Sequence, residues 1–282
     1  MAGLPEGKQK PVTPNKRRQD LNQDVSIAKT QSLSLVNCRL ATMAGGRYNT
    51  MENAALLLEK GRISWAGPLE KLPGDQIPES TRTIDCQNRW ILPGFVDCHT
   101  HLVWAGSRSN EFEMRLKGAT YEQIAASGGG IYATVKATRN AGEDELFSLA
   151  AKRLNTLLSQ GTTTVEIKSG YGLDLETELK MLGVIRRLDR AFPQHIEPTF
   201  LGAHALPGEY KGRSLAYIDL VTRSMLPKVK DQNIATAVDV FCESIAFSLE
   251  ETRQVFETAS DMGFRVKLHA EQLSDSKGAA LA

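Results

Sequence analysis

The 282-residue sequence predicts an α/β fold: a parallel (β/α)8 TIM-type barrel, with about five βα units present, following a small N-terminal β-sandwich portion. Three observations predict it. From Trp90 onward, apolar strand-like runs alternate with stretches of helical period, the pattern of a parallel sheet with crossover helices. Each strand candidate ends in residues able to do chemistry: His99 and His101, Lys168 to Tyr171, His204, Glu243 and His269. In such a barrel the functional groups gather at the carboxyl ends of the strands. Finally, no GxGxxG or GxxxxGK follows any strand, so a nucleotide-binding doubly wound sheet is the weaker reading.

Residues 1–33 are rich in Lys, Gln, Asn, Pro and Asp and poor in large apolar groups. They cannot bury enough surface to offset the entropy of ordering, so a disordered polar tail is expected. Arg17-Arg18 is not followed by an apolar segment, which argues against an export signal. Residues 34–89 form the sandwich portion. Its β-like runs are Leu33 to Cys38, Ala54 to Leu58, Arg62 to Ala66 and Arg82 to Asp85, separated by Gly45-Gly46, Lys60-Gly61 and Pro73-Gly74.

Residues 90–282 form the barrel portion, with strands expected at Trp90 to Cys98, Thr162 to Ile167, Glu197 to Ala203, Ala237 to Cys242 and Arg265 to His269. Apolar residues at Leu146, Leu149, Ala150, Leu154, Leu157 and Leu158 give Glu143 to Leu158 a helical period. Leu175 to Leu188 and Leu249 to Met262 behave similarly, and Ser248 with Glu251 three residues on resembles a capping box. A complete barrel needs eight strands and about 250 residues. The expectation is therefore an incomplete barrel whose open parallel edges favour aggregation and leave little or no activity.

A net charge of +1, with 41% hydrophobic and 24% charged residues, describes an ordinary globular protein and points to neither nucleic acid nor an anionic membrane. No apolar run approaches the ~18 residues of a membrane span. Cys38, Cys86, Cys98 and Cys242 are scattered with no CxxC pair, which favours a reduced, cytoplasmic setting. Cys98 lies between two histidines, but strand alternation turns it away from them, so it is expected to pack.

The segment Pro93 to His101 is an apolar run ending in His-x-His. On a strand, residues i and i+2 share a side, so His99 and His101 can aim two imidazoles at one point, and imidazole suits zinc and iron. Taken alone, the pair fits metal ligation and a satisfied, partly buried histidine pair equally well. His269, closing the fifth strand candidate, offers a third imidazole, the number a catalytic zinc takes from protein before water. His195 precedes its strand and is expected on the surface at the opposite end.

These residues sit in longer stretches: Asp97 to Arg108, Asn110 to Glu113, Gly128 to Ile131, Glu166 to Asp174, Gly202 to Ala205 and His269 to Gln272. In them the chain resembles the metal-dependent amidohydrolase superfamily and, within it, the imidazolonepropionase family, from about residue 33 to the end. The Lys168 to Leu173 and Gly202 to His204 stretches are far more specific than His-x-His. The resemblance implies one zinc or iron ion on His99, His101 and His269, and hydrolysis of the ring C–N bond of the small molecule 4-imidazolone-5-propanoate to N-formimidoyl-L-glutamate. It also implies a homodimer for the full-length protein. Arg108 would pair with the substrate carboxylate, Tyr171 would hydrogen-bond substrate, and His204 would contact the ring carbonyl and stabilise an oxyanion. His204 and His269 would thus carry the chemistry. Gln272 would be a substrate contact, since an amide cannot act as a general base. Tyr121 is balanced between substrate contact and packing. Glu271 is expected to serve the following helix N-terminus, and Lys168 a structural ion pair rather than a carbamylated metal bridge. A nucleobase deaminase and an inactive fragment of the hydrolase are the competing readings.

Overall fold

The computed structural model describes residues 32–74, 77–118 and 129–281. The expected polar tail, apart from its last residues, lies outside the described residues, as does Tyr121. The chain divides into two compact units, one through Pro93 and one from Gly94 onward.

The first unit is built on one mixed sheet. Its strands are β1 (Leu33–Ala41), β2 (Thr50–Glu59), β3 (Arg62–Pro68), β4 (Arg82–Asp85) and β5 (Trp90–Ile91). β1, β2 and β3 form an antiparallel meander, while β4 and β5 lie parallel to β1. Positive φ at Lys60 and Gly61 makes the tight β2–β3 turn that the Lys-Gly pair signals. Alternation along β1 and β2 puts Cys38, Leu40, Ala54 and Leu56 into a small core. A second facing sheet is not present among the described residues, so the coarser statement is a single mixed β-layer.

The second unit holds a five-stranded, all-parallel sheet in the order β6 to β10: β6 (Phe95–Thr100), β7 (Thr162–Lys168), β8 (His195–Ala203), β9 (Ala237–Cys242) and β10 (Arg265–Ala270). With its crossover helices this is a partial TIM-type α/β fold. α3 (Glu143–Ser159), α4 (Leu175–Ala191) and α7 (Leu249–Asp261) match the three expected helices. Each buries one apolar stripe against the strands: Leu146, Ala150 and Leu154 from α3, Met181, Leu182, Ile185 and Leu188 from α4, and Val255, Phe256 and Ala259 from α7. They meet Val165, Ile167, Phe200, Val238 and Val240 in one core. Both halves of the Ser248–Glu251 capping box are present.

Three details differ from expectation. The strand expected from Trp90 to Cys98 is two strands, β5 pairing with β1 and β6 with β7. Pro93 lacks a ladder donor and restricts Leu92, and a Cβ on Gly94 would lie 2.0 Å from Thr163 Oγ1, so the chain breaks there. Cys98 is exposed rather than packed, because β6 is an edge strand whose outer face is uncovered among the described residues. Helices α1 (Ser109–Leu116), α2 (Ile131–Asn140), α5 (Ser214–Leu220) and α6 (Leu226–Gln232) add to the expected set. A π-helical turn at Val221–Met225 joins the last two. Pro227 cannot supply the N–H that an unbroken helix needs.

Candidate metal centre

Two of the strand ends, those of β6 and β10, bring three imidazoles together. The ligand-capable atoms of His99, His101 and His269 all lie within 4.8 Å of one another. The ring centroids of His99 and His269 are 4.4 Å apart, and those of His101 and His269 are 5.5 Å apart. Burial lowers the His101 pKa to about 3, helped by the neighbouring rings of His204, His269 and His99. Burial, then His269 and Lys168, lowers that of His99. Such rings are neutral at physiological pH and offer lone pairs rather than charge. His101 Nδ1 is buried without a hydrogen-bond partner, so the protein leaves unused a donor atom that a cation would satisfy. The three residues therefore fit a divalent ion of the kind that imidazole binds.

His269 is backed by charge. Its Nδ1 lies 3.0 Å from Asp239 Oδ2, within ion-pair range although not aligned as a hydrogen bond. A proton on Nδ1 facing that carboxylate leaves the Nε2 lone pair free, the arrangement seen behind metal-ligating histidines. Asp239 also pairs with Lys168 Nζ at 2.7 Å, and Lys168 with Glu166 Oε1 at 2.6 Å. Lys267 Nζ and Thr199 Oγ1 donate to the same Glu166 oxygen at 2.7 and 2.6 Å. Burial opposes ionisation of Glu166 and Asp239, but their cationic and hydrogen-bonding partners outweigh it and hold both below the usual carboxylate range. Lys168 is thus a structural ion-pair residue. Asp239, Glu166, Thr199 and Lys267 were missed from the sequence, although charged residues inside otherwise apolar parallel strands were a usable signal.

The loop after β7 brings Tyr171 to the same place, with ring centroids 5.8 Å from His101 and 5.3 Å from His204. The His204 ring stacks on His101 at 5.2 Å. Burial holds its pKa at about 4, against an opposing hydrogen bond to the Gly170 carbonyl. That bond, Nδ1 to Gly170 O at 2.8 Å, fixes the tautomer: a carbonyl only accepts, so Nδ1 carries the proton and neutral His204 presents Nε2 as an acceptor. Burial raises the Tyr171 phenol, while the positive charges of Arg108 and Arg153 act the other way. Arg153 fixes the segment after β6 by donating to Leu102 and Trp104 carbonyls at 2.6 and 2.8 Å while stacking on Trp104.

Arg108 is at the start of α1, half exposed, with its guanidinium on Glu111 through two contacts of 2.8 and 2.7 Å. Both contacts go to one oxygen, Oε2, while Oε1 accepts the Gly130 N–H, so the guanidinium already sits on a carboxylate but not in a two-oxygen fork. Gln272 follows β10 directly, and its N–H donates to Glu243 Oε1 at 2.5 Å. Glu243 also accepts from the Ser274 hydroxyl and the Leu273 N–H, and with Ser274 contributing most these bonds lower its pKa to about 2. Glu271 accepts from the N–H groups of Gly278 and Ala279 at 2.8 and 3.1 Å, which makes it a turn-organising residue. His195, the first residue of β8, is exposed and pairs with Glu197.

This geometry agrees with what the chain is similar to. The profile of the Amidohydrolase family matches residues 90–280, and the chain belongs to that family. Over 250 residues it is 53% identical to an imidazolonepropionase from Shewanella sediminis, covering 88% of this chain and 61% of that protein. It therefore spans about three-fifths of the length of that relative. Among solved structures, 5-methylcytosine deaminase from Klebsiella pneumoniae superposes with a TM-score of 0.60 at 17% identity, covering 88% of this chain and 54% of that one. A triazine hydrolase from Arthobacter aurescens gives 0.56 at 17% identity, covering 88% and 55%. Likeness at that identity speaks for the fold alone.

Proposed function

We propose that this chain carries the metal-binding and substrate-binding residues of an imidazolonepropionase of histidine degradation. The reaction is hydrolysis of the ring C–N bond of 4-imidazolone-5-propanoate to N-formimidoyl-L-glutamate. The observation that supports it best is the convergence of His99, His101 and His269 beside neutral His204 and Tyr171. Arg108, whose charge acts on the Tyr171 phenol, is the group that this reading assigns to the propionate. The likeness to the Shewanella sediminis relative supports the substrate class.

In this reading His99, His101 and His269 hold zinc or iron, which supplies Lewis acidity and activates water at neutral pH. Asp239 keeps His269 in its ligating tautomer. Arg108 exchanges or shares its Glu111 partner with the substrate carboxylate, which anchors the ring by its tail. Tyr171 donates its hydroxyl to the ring. His204, with Nδ1 committed to Gly170, uses Nε2 to accept a ring N–H or take up a proton, and it stabilises an oxyanion only once protonated. That revises the oxyanion role expected from the resemblance. Gln272 orients substrate, and Tyr121 remains a candidate contact.

The finer structural readings belong to the same proposal. Ile63, Ile84 and Trp90 are exposed on the first unit's sheet, which supports its being one layer of a sandwich. The expected homodimer and cytoplasmic setting are tested by sedimentation and cell fractionation. β6 and β10 are open edges among the described residues, so turnover by the 282-residue chain alone is expected to be weak. The decisive assay uses metal-loaded protein, alone and completed with the C-terminal portion of the Shewanella sediminis relative, on 4-imidazolone-5-propanoate and on cytosine. Imidazolone turnover that depends on Arg108 supports the proposal. Cytosine deamination without imidazolone turnover overturns it.

A further inference from the structure

Glu178 is fully buried in the first turn of α4, yet it caps nothing, because Asp174 already accepts the Thr177 N–H as the N-cap. Its carboxylate turns back to the loop after β7 instead. Oε2 accepts the Gly170 N–H at 3.0 Å, and Oε1 accepts those of Gly172 and Leu173 at 2.8 and 2.9 Å. The N–H groups flanking Tyr171 are therefore pinned to one carboxylate. Gly170 is engaged on both sides: its N–H goes to Glu178, and its carbonyl receives the His204 Nδ1–H at 2.8 Å. Its φ of +107° suits glycine, and a Cβ there would lie 2.9 Å from Leu201 O and 3.0 Å from His204 Nδ1. From the outer side Arg139 donates to the carbonyls of Gly172 and Leu173 at 2.6 and 3.2 Å and pairs with Asp174 and Glu209.

We propose that Glu178 is a positioning residue that sets Tyr171 and His204 together, with Arg139 as the outer half of the same clamp. One buried carboxylate fixes the backbone that carries the tyrosine and, through a single residue, Gly170, the tautomer and orientation of the histidine. A site built this way holds two substrate contacts from different strands in one fixed relation, as preorganised recognition requires. The inference rests on the substrate reading for what these groups touch, but the clamp's own hydrogen bonds involve none of His99, His101 and His269.

The test compares wild type with Glu178→Gln, whose amide replaces one acceptor oxygen by donors facing N–H groups. Three readouts are taken on the full chain: Co2+ affinity by its visible spectrum, affinity for imidazole-4-propanoate as a stable ring-and-carboxylate probe, and the His204 Nδ1–H proton resonance. The expected result is Co2+ affinity within about twofold of wild type, probe affinity weakened by about tenfold or more, and a shifted or lost His204 resonance. Arg139→Ala, at a partly exposed residue, should give smaller changes in the same direction, and it decides the matter if Glu178→Gln does not fold. Unchanged probe affinity and an unchanged His204 signal would overturn the proposal, as would loss of Co2+ and probe together. If wild type binds no probe, the substrate reading fails, while the His204 resonance still decides the clamp.

Discussion

His99 and His269 stand at opposite edges of the same five-stranded sheet and are held in different ways. His269 is 7% exposed and has Asp239 behind it, which is tied in turn through Lys168 to Glu166. His99 is exposed on β6, which pairs only with β7 among the described residues, across a register shift between Asp97 and Thr100. The difference teaches that one candidate ligand is held in place by buried charge, while the other has strand pairing to hold it. A network of ion pairs that costs desolvation is worth keeping where it fixes a ring orientation.

The sharpest way to break the comparison is to remove each ligand. His269→Ala and His99→Ala should both abolish tight binding of one Zn2+ per chain in calorimetric titration. Only His269→Ala should also change the urea midpoint of the metal-free protein, because it alone disturbs buried partners. Equal effects on the metal-free state would erase the distinction. Next in size, Asp239→Ala leaves Lys168 short of a buried partner and should cost about 3 kcal/mol in urea unfolding. The shape-conserving Asp239→Asn should weaken Zn2+ binding by roughly 10- to 100-fold.

Proton linkage gives a further test. Folding holds His101 at about 3 and His204 at about 4, below the ordinary value of about 6.5 in an unfolded chain. The unfolded state binds these protons first, so stability of the metal-free protein should fall as pH drops from about 6.5 toward 4. Between pH 7 and 8 these two rings should contribute only a small slope that fades toward pH 8. Urea midpoints at pH 7.5 and 5 read this directly, and a higher midpoint at pH 5 would contradict it. The smallest expected effect is at Cys98, exposed next to His99 on β6, where Cys98→Ser should change stability by less than about 0.5 kcal/mol.

Much of the barrel unit was readable from the sequence because its signals are local. The β7 to β10 strands are apolar runs between turns, and α3, α4 and α7 carry apolar residues at helical spacing, so each was expected within a few residues of its bounds. His99, His101 and His269 were readable because chemistry-bearing residues stop those runs. The helix pair on either side of the π-turn was not, because Pro227 interrupts its pattern. The polar layer was missed for a different reason. Glu166, Asp239 and Lys267 alternate with apolar neighbours, as solvent-facing strand residues do. Only the fold shows that their side is enclosed and that they meet across strands. The same holds for Glu178, which reads as an ordinary acidic residue in a first helical turn until the loop that it grips is seen.

The central claim is that three imidazoles from the two edges of one sheet share a single ion. A Co2+ titration of the metal-free chain tests it most directly, followed by its d–d absorption and compared with the His99→Ala, His101→Ala, His269→Ala triple variant. The account predicts one saturable site with a low-symmetry spectrum in wild type and none in the variant. Saturation of the triple variant at the same Co2+ concentration, with the same spectrum, would contradict it.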